Sequence, residues 1–402
     1  MATAKDNRPA SMEAEFKPFR ETYKTITFNM IVGQLYPNPR MDRRRAICIA
    51  LLWLSVAPVI SMVMLDMYHS WKRRDFVNII RHATVVGPLN LVLLKMLLLY
   101  IRRAEVYQII KIIDSDHSKC NNLPEEHKSI ARKGIKDSKF YSEYCWTWVV
   151  RSCVMTFPMT AVILNIYNYM FMSDPVLYMV HDTEKPFSEP EDRFTSPFFE
   201  FMFVYMTYCS FLFVLSFTGF DAFFGVTINH ICLKIALLCK EFEDAMLEND
   251  SVAIFNKMVD VIKQHNEVFR MVDLVQQIFN IWLGIILVAT VVQICNCMYQ
   301  VIEGYGIDPR YLMFVLATCI HIHMPCRYAA KLQAATADVA TSVYCSGWER
   351  TGDLRARRTV VFMIARAQVP INITAFNMVN FDMELFVSIL QKSYSLFTLL
   401  RP

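Results

Sequence analysis

Four polar side chains near the C-terminus, Ser388, Gln391, Ser395 and Thr398, recur at spacings of three and four residues. They sit inside an apolar stretch running from Phe381 to Leu400. On a helix they form one stripe. Facing lipid, such groups are costly; facing water, their oxygens can solvate a passing cation. The chemistry they suggest is conduction, not bond making. The stretch has the length a helix needs to cross a bilayer, about twenty residues, so it predicts a membrane helix with one wet face, the wall of a pore.

Other constellations offer less. His321-Ile-His323 and Cys295-Asn-Cys297 resemble metal pairs, but residues two apart diverge on a helix. Packing is the expected role of His321, and no metal or other cofactor is expected. The chain lacks a phosphate-binding glycine loop, a GxSxG elbow and an HExxH pair, so an enzyme is not expected. Acid or base pairs within the membrane are not expected either. Lys95 is read as snorkelling to the cytoplasmic surface, two turns from Arg102. Methionine, aromatic and hydroxyl side chains cluster in the outer halves of the apolar runs. Met155, Thr156, Met159, Tyr205, Tyr208, Phe314 and Thr318 are the candidate lining of a small apolar pocket.

The elements that must position these residues are helices. Of 402 residues, 54% are hydrophobic and 19% charged, and the net charge is only +4. Mean hydropathy is +0.29. Soluble domains carry roughly a quarter charged residues. The basic residues are scattered between apolar runs, which argues against nucleic-acid binding. Seven spans are predicted: Ala46–Leu65, Ala83–Ile101, Ser152–Met172, Phe201–Phe220, Leu274–Ile302, Tyr311–Cys326 and the C-terminal stretch, the weakest by hydropathy. No secretory signal is read at the start, so the first span is expected to direct insertion. None of the twelve cysteines falls in a segment assigned outside, so a disulfide scaffold is not expected.

Basic residues orient the spans. The N-terminal segment 1–45 holds Lys5, Arg8, Lys17, Arg20, Lys24, Arg40 and the triplet Arg43–Arg45. The loops after the second and fourth spans and before the seventh are also basic. The loop at 173–197 has only Lys185 and Arg193 against Asp174, Asp182, Glu184, Glu189, Glu191 and Asp192. Lys72, Arg73, Arg74 and Arg81 in the first outer loop dissent. The positive-inside rule thus predicts a cytoplasmic N-terminus and an extracellular C-terminus. The resulting map has membrane helices one to four over 46–230, cytoplasmic helical extensions over 231–273, and helices five and six over 274–330. A cytoplasmic anchor helix over 331–370 and the pore-lining helix over 381–402 complete it.

The last sixty residues resemble the insect odorant receptor family. The resemblance rests on Tyr344, Trp348, Arg357-Arg358, Arg366-Ala367-Gln368, Pro370, Phe386 and the run from Ser393 to Leu400. It implies an odorant-gated, non-selective cation channel, a tetramer of ligand-tuned receptor and shared coreceptor, in the plasma membrane of olfactory neuron dendrites. The coreceptor has extra length between spans four and five; this chain has none obvious, which makes it resemble a tuned subunit. The resemblance also implies a cytoplasmic anchor at about 231–273 and 332–367, and an odorant pocket among helices two, three, four and six. It puts the gate near the outer end of the last helix, at Phe397 and Leu400, nearly opposite the polar stripe. Two other readings are a seven-span receptor signalling through a cytoplasmic partner and a small-molecule transporter. The first needs an outside N-terminus and the second corresponding halves, which the chain does not display.

Overall fold

A computed structural model describes residues 14–38, 43–173, 176–186, 190–303 and 308–400, without the side chains of Pro190, Glu191, Glu303 and Leu400. Lys5, Arg8, Arg40, Asp174 and Glu189, counted above for orientation, lie outside the described residues, as does Arg401-Pro402.

The architecture is all-α. Two short helices, α1 (Phe19–Thr22) and α2 (Lys24–Val32), precede α3 (Arg43–Arg73) and α4 (Phe76–Ile101). Then come α5 (Arg103–Cys120), α6 (Glu125–Ser138) and, after a wide π-helical turn over Lys139–Cys145, α7 (Trp146–Phe171). The longest are α8 (Phe198–Met246) and α9 (Ser251–Glu303). The chain ends with α10 (Pro309–Tyr344), α11 (Leu354–Ala367), a hairpin of β1 (Thr374–Ala375) and β2 (Val379–Asn380), and α12 (Met383–Leu400).

Local chemistry sets several of these ends. Asp75 accepts from the Asn78 amide at the start of α4, Asp353 from that of Arg355 in α11, and Asp382 from that of Leu385 in α12. Such caps satisfy amides that lack a partner in the first turn. Gly347 takes a left-handed φ of 76° just after α10, a conformation that costs glycine nothing. At 49 residues α8 is roughly 70 Å long at 1.5 Å per residue, more than twice what a bilayer requires.

Among the described residues, five stretches are long and apolar enough to cross a membrane: α3, α4, the α6–α7 run, α8 and α9. Neither α10 nor α12 reaches that level. The apolar part of α10 is short and broken by His321 and His323, and α12 carries Gln391, Lys392 and its hydroxyls. Both lay a face against α9.

The N-terminal segment does more than its polar composition suggests. Phe19, Tyr23, Ile26 and Met30, spaced 4, 3 and 4 apart, are at most 1% exposed, and α2 packs on α8. Asn29 Nδ2 donates to Thr218 Oγ1 at 2.8 Å. From the π-helical turn, Glu143 Oε1 accepts the Thr25 and Ile26 amides at 2.6 and 3.3 Å, capping α2.

Candidate functional site

Helices α4, α7, α8, α9 and α10 line a cavity of about 370 Å³. That is within the range of small-molecule sites, roughly 300–1,000 Å³. Its wall is mostly apolar: Pro88 and Leu91 from α4, Val150 and Val154 from α7, Phe213 and Phe217 from α8, Ile286 and Ala289 from α9, Phe314 and Ala317 from α10. The polar contributions are Thr290, Gln293, Asn296, Thr318 and His321. A second cavity of about 100 Å³ shares Pro88, Val154, Phe213 and Phe314 with it and reaches Val180 and His181 of the loop after α7. The two adjoin across these four shared residues.

Pro88 shapes the wall. Without an N–H it cannot bond the carbonyl one turn earlier in α4, that of Thr84. Gln293 Nε2 donates to that carbonyl at 2.9 Å from the facing α9. Free backbone groups at kinks in membrane helices need such replacements.

The floor is charged. Lys95 Nζ lies 2.6 Å from Asp221 Oδ2, and His321 Nε2 lies 3.2 Å from the same oxygen. The ammonium sits 3.3 Å from the Phe217 ring centroid and 4.5 Å from that of Trp282, a cation–π contact with both. His321 stacks on Trp146 with centroids 5.3 Å apart. Lys95 is completely buried. This corrects two expectations: Lys95 does not snorkel to the cytoplasmic surface, and an acid–base pair does lie within the bundle. The physical reason is that Asp221, at the point where α8 continues past its predicted span, offers a partner that makes burial cheaper than escape. His321 is indeed packed, and it also meets a carboxylate. His323 points elsewhere, against Phe386 at 5.2 Å.

The roof is the segment Met179–Glu184. Asp66 Oδ2 accepts the Glu184 amide at 2.9 Å and lies 3.1 Å from His82 Nε2. His82 Nδ1 lies 3.0 Å from His181 Nε2, so the two rings share one hydrogen bond. Arg73–Glu184 at 2.7 Å, Arg81–Asp182 at 3.5 Å and Arg193–Asp182 at 3.1 Å add ion pairs. Burial, reinforced by His82, Arg81 and Arg310 and opposed by Asp66, holds the His181 imidazole well below its ordinary range. It is therefore neutral at physiological pH.

Of the residues singled out from sequence, Phe314 and Thr318 line the main cavity. Thr318 spends its hydroxyl on the Phe314 carbonyl at 2.7 Å. Met155 packs against the main core. Thr156 donates to the Ser152 carbonyl of its own helix at 2.7 Å. Met159 is 54% exposed on the outside of α7. Tyr205 and Tyr208 meet α3 instead: Tyr205 donates to the Ser55 carbonyl, and the Tyr208 hydroxyl is 3.5 Å from that of Ser55. The α9 contributions, Thr290, Gln293 and Asn296, were not anticipated. A glutamine in an otherwise apolar span, facing the Gly87-Pro88 kink, was the available signal.

On α12, Gln391, Ser395 and Thr398 are exposed and Ser388 is half-buried, while Ile389, Ser393 and Phe397 are buried against the rest of the chain. The hairpin before α12 grips α9. Gln276 exchanges hydrogen bonds with Thr374, the Phe376 amide reaches the Asn280 carbonyl, and the Asn377 amide reaches Asn280 Oδ1. The Phe376 ring lies on Gly284, where an added Cβ would sit 2.2 Å from it.

The family model described as 7tm odorant receptor matches residues 75–394. The chain belongs to the 7tm odorant receptor family. The receptor is 21% identical over 345 residues to odorant receptor 85c of Drosophila melanogaster, covering 81% of this chain and 83% of that one. With odorant receptor 10 of Aedes albopictus it is 22% identical over 368 residues, covering 88% and 92%. Its fold is similar to that of the insect olfactory receptor OR5 from Machilis hrabei, solved in complex with eugenol, with a TM-score of 0.77 at 14% identity over 94% of this chain and 97% of that one. The structure of the same protein without the ligand named gives 0.72.

Proposed function

We propose that the receptor is the ligand-tuned subunit of an odorant-gated, non-selective cation channel, assembled with a shared coreceptor as a tetramer. It sits in the plasma membrane of olfactory neuron dendrites, with its N-terminus in the cytoplasm and its C-terminus outside. The inner reaches of α8 to α11, about 231–273 and 331–370, form the cytoplasmic anchor between subunits. The observation that carries this reading is the continuity of α9. One helix walls the cavity at Thr290 and Gln293 and, two to four turns away, holds the hairpin leading into α12 through Gln276, Asn280 and Gly284.

A volatile apolar molecule in the cavity favours one placement of α9, and α12 follows, so gating is a population shift. The stripe Ser388, Gln391, Ser395 and Thr398 faces the permeating ions, because the opposite face, with Ser393 and Phe397, is engaged by the chain itself. Co-expression with the coreceptor and whole-cell recording across an odorant panel tests this. Fast inward currents independent of G proteins support it; their absence with both chains at the surface refutes it. An epitope at the N-terminus that is labelled on intact cells would reverse the orientation and favour a receptor signalling through a cytoplasmic partner.

A further inference from the structure

We propose that Gln293 is a fixed hydrogen-bond acceptor in the main cavity, so that the preferred ligands are small apolar molecules carrying one hydroxyl donor, such as alcohols or phenols. The inference rests on the ligand-gated reading above.

The orientation of the Gln293 amide follows from its neighbours. The Thr84 carbonyl freed by Pro88 can only accept, so the nitrogen must face it, at 2.9 Å. The same nitrogen lies 3.6 Å from Cys297 Sγ, its second acceptor. Both donor hydrogens are thereby committed within the protein, and the amide has only its oxygen left to offer. Gln293 is 8% exposed and lines the cavity. Its Oε1 lies over Gly87, also in the cavity wall, where an added Cβ would stand 3.7 Å from that oxygen. The glycine leaves the approach to the acceptor open.

Among the described residues no protein donor reaches this oxygen, and a ligand hydroxyl supplies one. Thr318 and His321 do not compete as donors to a ligand ether or ester, since Thr318 spends its O–H on the Phe314 carbonyl and His321 Nε2 faces Asp221, while Asn296 and Thr290 offer both functions and so add no preference between them. An ether or ester oxygen brings only a further acceptor and gains nothing from Gln293. The remainder of the wall rewards apolar contact, which sets the rest of the ligand's character.

The test uses the complete receptor co-expressed with its coreceptor and matched probes: a para-alkyl phenol against its methyl ether, and a primary alkanol against the methyl ether of equal chain length. In the native receptor the hydroxyl member should act at about tenfold lower concentration, the value of one hydrogen bond to a desolvated partner. Gln293→Leu should bring the ratio close to one. Because that change also strands the Thr84 carbonyl, Gly87→Ala provides a second variant that keeps Gln293 and covers its oxygen; it should shrink the ratio about threefold. A ratio at or below one in the native receptor, or a ratio unchanged in both variants at normal surface levels, overturns the proposal. If no probe evokes current, the channel reading fails. The subsite is then read by thermal stabilisation of the solubilised complex, where equal stabilisation by both members of each pair overturns it.

Discussion

Lys95 Nζ and Asp221 Oδ2 lie 2.6 Å apart, 126 residues distant in sequence, and tie α4 to α8 directly beneath the main cavity. Breaking one partner of a buried pair leaves an uncompensated charge, at a cost of about 3–5 kcal/mol. Lys95→Met and Asp221→Leu should each sharply reduce the amount of receptor at the cell surface. The double variant should recover most of it, since apolar residues can replace a buried pair at little cost. Surface biotinylation of the three variants measures this, and a double variant no better than the singles would show the pair is not a closed unit.

The hairpin offers a second double-variant cycle. Phe376 and Asn377 have φ of 51° and 55°, the signature of a tight two-residue turn, unusual for a phenylalanine. The ring persists there because it is seated on Gly284. Gly284→Ala should overpack this contact by about 1–3 kcal/mol and weaken ligand-evoked current. Adding Phe376→Ala removes the clash and should restore surface expression without full restoration of current, because the grip on α9 is reduced. Recordings normalised to surface protein separate the two effects.

The roof should respond to acid. His181 is held well below its ordinary range by burial and by His82, Arg81 and Arg310, against the opposing pull of Asp66. Below the ordinary histidine range, near 6.5, the unfolded chain binds a proton that the folded chain resists. Stability is therefore complete above that pH and is lost as pH falls through it. Thermal unfolding of the purified receptor should show a midpoint that drops between about pH 7 and 5. His181→Gln should flatten that segment of the profile, and an unchanged profile would remove the roof from the account.

The helices were legible because long apolar runs and basic flanks are local signals. What escaped was pairwise. Periodicity shows that Lys95 lies on a helix, not that Asp221 will meet it. The stripe of Phe19, Tyr23, Ile26 and Met30 has helical spacing, but the charges of Arg20, Glu21 and Lys24 among them gave the segment the composition of a tail. The candidate lining drew on α7, α8 and α10 by aromatic and methionine content. Tyr205 and Tyr208 in fact address α3, and much of the polar share of the wall comes from α9, whose Gln293 is explained only by a proline on another helix.

The face of α12 that meets ions can be probed by single cysteines. Gln391→Cys, Ser395→Cys and Thr398→Cys should react with a charged thiol reagent and change the current during ligand application. Ser393→Cys, buried against the Ile389 carbonyl side of the helix, should stay protected. The reverse pattern would put Phe397 and its neighbours at the axis instead.

The most direct test is whole-cell recording from cells expressing the receptor with its coreceptor during rapid application of the alcohol, phenol and ether panel. The account predicts fast inward cation current, insensitive to G-protein block and absent from cells lacking the receptor. Surface-expressed complex that stays silent across the panel, or responds only through G proteins, would contradict it.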